Sequence, residues 1–246
     1  MNKEQIVVVN NVKYLIKNSK DLIENTLMKG NQWNNDIVLL IGLLIKKYNL
    51  KHLINVGSHI GTVALPISKY IEKVTAIEPY PPTYEHFLEN IKLNDIKNID
   101  TFNVAVGGEE NKVYFLDSNH ERTKNNSGGM HAVTEEDIKK NRLSSTLHTK
   151  KYHNNMKKFD DLPIEKFDIM LIDVEGREYE TIKGAAKKII ENRPIIIVEI
   201  WGNQKRKFEN MDTNVEEVAG FIENLGYKKV KKVSDDYIFF PSNLKI

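Results

Sequence analysis

Glycines and acids in this chain stand at spacings that chemistry can use. Gly57 and Gly61, in Asn55-Val56-Gly57-Ser58-His59-Ile60-Gly61, follow an apolar run, and Glu78 closes the next one, Val74-Thr75-Ala76-Ile77. Glycines in a strand-to-helix turn let backbone approach a ligand, and an acid at the next strand end can accept hydrogen bonds from ribose hydroxyls. Farther on, Ile169-Met170-Leu171-Ile172 runs into Asp173-Val174-Glu175-Gly176. Residues two apart on a strand face the same way, so Asp173 and Glu175 are expected to point together into a crevice at the strand ends. Glu199, after the apolar run Ile195-Ile196-Ile197-Val198, is a carboxylate that needs a partner or a strand mouth. His131 follows the glycine pair of Asn126-Ser127-Gly128-Gly129 and could bring a base to a substrate. Each has a plainer reading. The glycines can serve a tight turn alone, Glu78 can cap the helix near Pro82, and the two acids can serve the next helix N-terminus beside Glu178 and Glu180. His131 can lie on a solvated turn.

The elements that position these residues alternate between strand and helix. Ile6 to Val9 and Val12 to Ile16 predict a hairpin through Asn10-Asn11. Helices are expected at 20–28, capped by Ser19, and at 36–48, capped by Asn35. Residues 1–50 are thus read as a hairpin and helices that flank or lid the main domain, 51–246. In that domain strands are expected at 52–57, 73–78, 99–106, 112–116, 167–173 and 194–200. Helices are expected at 61–71, 82–93, 177–191 and 214–225. Residues 118–158 read as a long loop without clean periodicity, and loops of that length are commonly functional or mobile. Two final strands, 228–233 and 237–240, turn at Ser234-Asp235-Asp236. The alternation predicts a mostly parallel seven-stranded sheet with helices on both faces, and the final turn makes the C-terminal strand antiparallel. That order is expected of Rossmann-like methyltransferases rather than nicotinamide dehydrogenases. The spacing Gly57-x-x-x-Gly61, with one glycine fewer than G-x-G-x-x-G, likewise suits a cofactor without a pyrophosphate.

Composition narrows the function classes. The 246 residues carry 36 Lys and Arg against 34 Asp and Glu, for a formal net charge of +2, so no overall field calls for nucleic acid or an anionic membrane. Lys228, Lys229, Lys231 and Lys232 read as a solvated edge strand. The absence of cysteine excludes disulfides and a thiol nucleophile. The longest apolar run, Ile37 to Ile45, is far shorter than the roughly 20 residues a membrane span requires. A cytoplasmic protein is expected, with no membrane insertion and no nucleic-acid partner. No metal centre is expected either; Asp173 with Glu199 would be the pair to hold a divalent ion. His52, His86, His120, His148 and His153 stand among polar neighbours and are expected to be solvated, whereas His59 can face a cofactor.

Taken together, Asn55 to Gly61, Ile77-Glu78-Pro79, Ala105-Val106-Gly107, Asn126 to Gly129, Ile172-Asp173-Val174-Glu175-Gly176, Lys183-Gly184-Ala185 and Arg193-Pro194 with Glu199-Ile200 resemble the FkbM-type methyltransferase family over about residues 50–202. The resemblance implies a class I fold and S-adenosyl-L-methionine as cofactor. It places Gly57, Ser58, His59 and Gly61 on the methionine portion, with Asn55 near its ammonium group, and Glu78 on the ribose. Asp173 would border the transferring methyl, and Val104 and Ala105 can sandwich the adenine. Asn55 stands where the family usually has Asp, and Ser58-His59 where it has Ala-Asn. The expected activity is O-methyl transfer to a hydroxyl of a sugar or glycoconjugate, with Glu175, His131 or Asp173 as general base. A small-molecule or glycan acceptor is the partner implied. The rival reading is a catalytically impaired cofactor-binding subunit with a regulatory or assembly role, for which the lost charge at Asn55 is the main support.

Overall fold

The computed structural model describes residues 4–116, 125–143 and 148–243. Its elements in chain order begin with β1 (Gln5–Val9), β2 (Val12–Ile16), α1 (Leu22–Met28) and α2 (Asn35–Tyr48). The nucleotide-binding half follows with β3 (His52–Val56), α3 (Ala64–Ile67), β4 (Lys73–Ile77), α4 (Pro81–Leu93) and β5 (Ile99–Phe102). Then come β6 (Ala105–Val106), β7 (Asn111–Leu116), β8 (Ala132–Val133), α5 (Glu135–Lys139) and β9 (His148–Lys157). The chain continues through β10 (Ile169–Ile172), α6 (Glu178–Gly184), α7 (Ala186–Asn192), β11 (Ile195–Glu199) and α8 (Asn203–Phe208). It closes with α9 (Val215–Asn224), β12 (Tyr227–Val233) and β13 (Asp236–Pro241).

The main sheet has seven strands in the order β12-β13-β11-β10-β3-β4-β5. β11, β10, β3, β4 and β5 are mutually parallel, and β13 lies antiparallel between β11 and β12. This is the sheet the alternation predicts. Its central strands are apolar nearly throughout because both faces are covered. Leu53, Leu171 and Ile197 join one core with α2, α3 and the hairpin, while Ile54, Ile172 and Val198 join the other with α6, α7 and α9. β12 takes the edge, and its four lysines are all exposed.

Several boundaries differ from expectation. The helix expected at 61–71 shrinks to α3, because Gly61 at φ +92° holds the chain out of the helical region. The strand expected at 99–106 divides. β5 stays in the main sheet, whereas β6 pairs with β9 in a second, four-stranded sheet ordered β6-β9-β7-β8. The segment read as a loop, 118–158, therefore contributes β8, α5 and the ten-residue β9. Its strand is disguised because the exposed residues His153 and Asn155 alternate with half-buried Tyr152 and Asn154, and among its described side chains only Met156 is fully buried. The helix expected at 177–191 breaks at Ala185, and α8 stands where no element is expected. α1 is capped by Asp21, whose Oδ1 accepts from Ile23 and Glu24 N–H, and not by Ser19. For α2 the cap position is Asn34 rather than Asn35.

The hairpin is anchored to α4 by side chains. Asn90, fully buried, accepts from Leu15 N–H (2.8 Å) and donates to the Ile60 carbonyl (3.0 Å), so it ties β2 to the glycine turn. Asn90→Ala leaves both backbone groups without partners and is expected to destabilise the fold by about 2–4 kcal/mol, read as a lower urea midpoint. His86, expected in solvent, is buried and bonded to the Leu15 carbonyl at 2.7 Å. His52, also expected in solvent, is half-buried against the Lys166 carbonyl and Thr75 Oγ1. His153 is exposed as expected. His120, and the side chain of His148, lie outside the described residues. Among the described residues no helix is long and apolar enough to cross a membrane.

Candidate active site

The C-terminal ends of β3, β4, β10 and β11 open into one cavity. Asn55, Gly57, Ser58 and His59 line it, with Glu78, Val104, Ala105, Asp173, Glu175 and Glu199. Open α/β sheets bind ligands at this edge. The roof comes from residues whose contribution sequence patterns did not reveal: Leu22, Ile23, Trp33 and Asn34 from the N-terminal segment. Asn126, Ser127 and Gly128 complete it. Asp21 couples the two roof segments, since its Oδ2 accepts from Ser127 N–H at 2.7 Å while Leu22 N–H donates to the Asn125 carbonyl.

The glycine turn is built by close approach of protein to protein. A Cβ on Gly57 (φ +83°) would overlap the Asp173 carbonyl oxygen, and one on Gly61 would overlap the Phe87 ring. Gly61 does not line the cavity; its freedom serves packing on α4. Ser58 N–H and Gly57 N–H both donate to the Ile77 carbonyl, locking the turn to the end of β4. His59 then takes a left-handed φ of +48° and directs its N–H to Glu78 Oε2 at 2.9 Å. The other carboxylate oxygen accepts from Tyr80 N–H at 2.9 Å. Two backbone donors fix the Glu78 carboxylate and leave lone pairs for a ligand. Burial nonetheless pushes its pKa up to about 7, against the opposing effect of those two bonds. His59 is held neutral by burial, and its Nε2 meets Ser127 Oγ at 2.9 Å. Three buried polar atoms here have no partner among the described residues: Asn55 Oδ1, Ser58 Oγ and His59 Nδ1. Buried polar groups are seldom left so, which marks the cavity as a place where a ligand supplies the missing bonds.

The acids converge as expected, but for a different reason. β10 ends at Ile172, and Glu175 and Gly176 both have positive φ, +50° and +98°. A left-handed turn, not strand alternation, therefore brings Glu175 back toward Asp173. Carboxylate oxygens of Asp173, Glu175 and Glu199 lie within 4.8 Å of one another. Burial first, and then their mutual repulsion, raises the pKa of all three. Lys205 Nζ lies 3.7 Å from Glu175 Oε2 and 3.4 Å from the centre of the Trp201 ring. Glu178 does serve its helix start: it accepts from Gly176 N–H and pairs with buried Arg206 at 2.8 Å. Arg177 also borders the cavity, but its guanidinium is engaged by Asp137 and the Ala132 carbonyl. His131 lies apart from the cavity lining. Its ring packs 5.3 Å from Trp201, and its Nδ1 is 3.0 Å from the Leu143 carbonyl.

Known proteins resemble this one in the same region. The FkbM methyltransferase domain model matches residues 55–229. The methyltransferase sdnD of Sordaria araneosa is 27% identical over 177 residues, covering 61% of this chain and 66% of that protein. The chain thus spans just under two thirds of that relative. Among solved structures, an FkbM methyltransferase from Methylobacillus flagellatus is 16% identical with a TM-score of 0.47, covering 77% of this chain and 43% of that one. A putative caffeoyl-CoA O-methyltransferase from Staphylococcus aureus is 13% identical with a TM-score of 0.46, covering 82% and 81%. With a family model matched over more than half its length, the chain belongs to the FkbM methyltransferase family.

Proposed function

We propose that the protein transfers a methyl group from S-adenosyl-L-methionine to a hydroxyl oxygen of a sugar or glycoconjugate. The observation that carries this reading is the set of ligand-ready polar groups at the ends of β3 and β4. Glu78 is fixed by His59 and Tyr80 N–H, and unpartnered Ser58 Oγ and His59 Nδ1 stand beside it. These groups fit an adenosyl cofactor: Glu78 would hold the ribose diol, Val104 and Ala105 the adenine, and the Gly57–His59 turn the methionine portion. The cavity is acidic, and among the described residues its one lining guanidinium, Arg177, is spent within the protein. An acidic wall favours a sulfonium cation and disfavours the pyrophosphate of a nicotinamide dinucleotide.

The cofactor supplies an already activated methyl group. The chain must align an oxygen for in-line attack and take its proton. Glu175, a member of the acid cluster and 3.7 Å from Lys205 Nζ, is the general base in this reading. The acceptor oxygen forms the new C–O bond, the C–S electron pair stays on sulfur, and the hydroxyl proton passes to Glu175. Clustered carboxylates also accept hydrogen bonds from neighbouring hydroxyls, which supports a polyol acceptor.

Calorimetry with S-adenosylhomocysteine tests the cofactor. Glu78→Ala is expected to weaken binding about ten- to a hundredfold, the range for hydrogen bonds to a charged group. Wild-type affinity is expected to be level above pH 7 and to fall about tenfold per pH unit below it, as Glu78 becomes protonated. The mutant should lack that slope. Failure of folded wild-type protein to bind would exclude the reading.

A further inference from the structure

We propose that β1 is a docking edge for a second copy of this chain, the two β1 strands pairing antiparallel about a two-fold axis. The inference stands apart from the methyl-transfer reading, because the hairpin precedes residues 55–229, which match the family domain.

The hairpin has two edges, and side chains of α4 close one of them. On β2, Lys13 N–H donates to Asn94 Oδ1 at 2.8 Å, and the Lys13 carbonyl accepts from Asn94 Nδ2 at 2.7 Å. Leu15 N–H donates to Asn90 Oδ1 at 2.8 Å, and its carbonyl accepts from His86 Nε2 at 2.7 Å. The backbone groups of Lys13 and Leu15 therefore point away from β1. Facing residues of an antiparallel pair turn their groups either both toward each other or both away. Ile6 faces Leu15 and Val8 faces Lys13, so the N–H and C=O of Ile6 and Val8 point out of the far edge of β1. Among the described residues these groups meet no hydrogen-bond partner. An open edge is a template for another strand, and chains ordinarily guard it with charge. The edge strand β12 is guarded so, by four exposed lysines. β1 is not: Gln5-Ile6-Val7-Val8-Val9 is uncharged, free of proline and rich in β-branched residues. Ile6 and Val8 are 56% and 61% exposed.

A second copy fits this edge in register. With Val7 of both strands at the axis, Ile6 of each falls opposite Val8 of the other. Those are the residues whose groups point outward, so every outward N–H and C=O of both strands finds a partner. The register is its own inverse, as a two-fold contact requires. The exposed side chains of Ile6 and Val8 become cross-strand neighbours on the outer face and cover one another. Gln5 falls opposite Val9, and Glu4, just before the strand, falls opposite the turn residue Asn10. No charge therefore meets its like across the axis, and the absence of charge that leaves the edge unguarded suits it to a copy of itself.

Sedimentation velocity of the full chain across a concentration series tests the pairing. A dimer that dissociates on dilution is expected, since two short paired strands make a small interface. Val8→Pro removes an outward donor and leaves the bonds between β1 and β2 in place. It should raise the dimer dissociation constant about tenfold or more, through the hydrogen bond lost on each side of the axis, with circular dichroism unchanged. Should that variant lose its hairpin, Ile6→Lys combined with Val8→Lys gives the same comparison. Both side chains already face solvent, and the register sets lysine against lysine. Val7→Cys reads the register itself. The chain has no cysteine of its own, and facing residues without mutual hydrogen bonds stand about 4.5 Å apart at Cα, within disulfide reach. Mild oxidation should link Val7→Cys into dimers and leave Val8→Cys, whose copies are staggered along the strands, largely unlinked. A chain that stays monomeric at its highest soluble concentration would overturn the proposal; if its Ile6 and Val8 amides also resisted hydrogen exchange, another part of the chain would already cover the edge. A dimer that survives the edge variants but is lost in Leu39→Lys, at an exposed position of α2, would also overturn it and move the contact to that helix.

Discussion

Glu175→Gln is expected to lower turnover on an accepted hydroxyl by about two to four orders of magnitude, the usual contribution of a positioned base. Affinity for S-adenosylhomocysteine should stay close to that of wild type. The separation follows from place. Glu175 sits on the left-handed turn after β10, across from the Glu78 and His59 groups that would hold the ribose. Glutamine keeps its size and can still meet Lys205, but it cannot take a proton. The two other candidate bases are less well placed. His131 packs against Trp201 beyond the cavity lining, and Asp173 lies on the floor beside Glu199. Single-turnover methyl transfer, screened first on glycans and sugars, is the measurement. Full turnover in the variant would move the base elsewhere.

The parallel sheet was legible because its strands are buried on both faces, which writes continuous apolar runs into 53–56, 169–172 and 195–198. The antiparallel strand was legible for another reason: only a tight turn can join 233 to 236. The small second sheet was hidden. Of the described side chains of β9, Tyr152 to Lys157, only Met156 is fully buried, so the pattern there is polar, and β6 is a two-residue strand that continues from β5 without a turn signal. Just past β5, Asn103 donates to the Glu78 carbonyl at 2.8 Å, a bond between segments far apart in sequence.

The site was legible where one residue type has one use. Glu78 and Asp173 stand at strand ends, where an acid is conspicuous. Residues 1–50 read as a flank or lid, but which of them form the roof was not legible: Leu22 and Ile23 on α1 and Trp33 before α2 are ordinary apolar residues until Asp21 clasps Ser127 over the cavity. Arg177 and Asp137 were missed alike; nothing in sequence spacing links residues 40 apart. The glycine turn was read correctly as a turn but for an incomplete reason, since Gly57 makes room for Asp173 before it makes room for any ligand.

That last point predicts a large and diagnostic effect. Gly57→Ala should destabilise the protein by more than about 4 kcal/mol and abolish S-adenosylhomocysteine binding. Gly30→Ala should cost only about 1–2 kcal/mol. Both glycines have similar positive φ, +83° and +78°, so conformational strain alone would make the two changes equivalent. Their surroundings differ. A Cβ on Gly30 meets nothing within 4 Å, whereas one on Gly57 overlaps the Asp173 carbonyl oxygen and crowds its carbon at 2.8 Å. That neighbour is backbone and cannot rotate aside. Relief requires β3 and β10 to separate at their ends, which breaks the bond from Asp173 N–H to the Val56 carbonyl. The same movement displaces Asp173 from Glu199 and opens the floor of the cavity. Urea unfolding of the two variants, side by side, is the measurement. Equal losses would mean that φ, rather than close approach, is what requires glycine at position 57. A far larger loss for Gly57→Ala would show that the turn is set by the contact between β3 and β10, and that acid cluster and glycine turn are one structural unit.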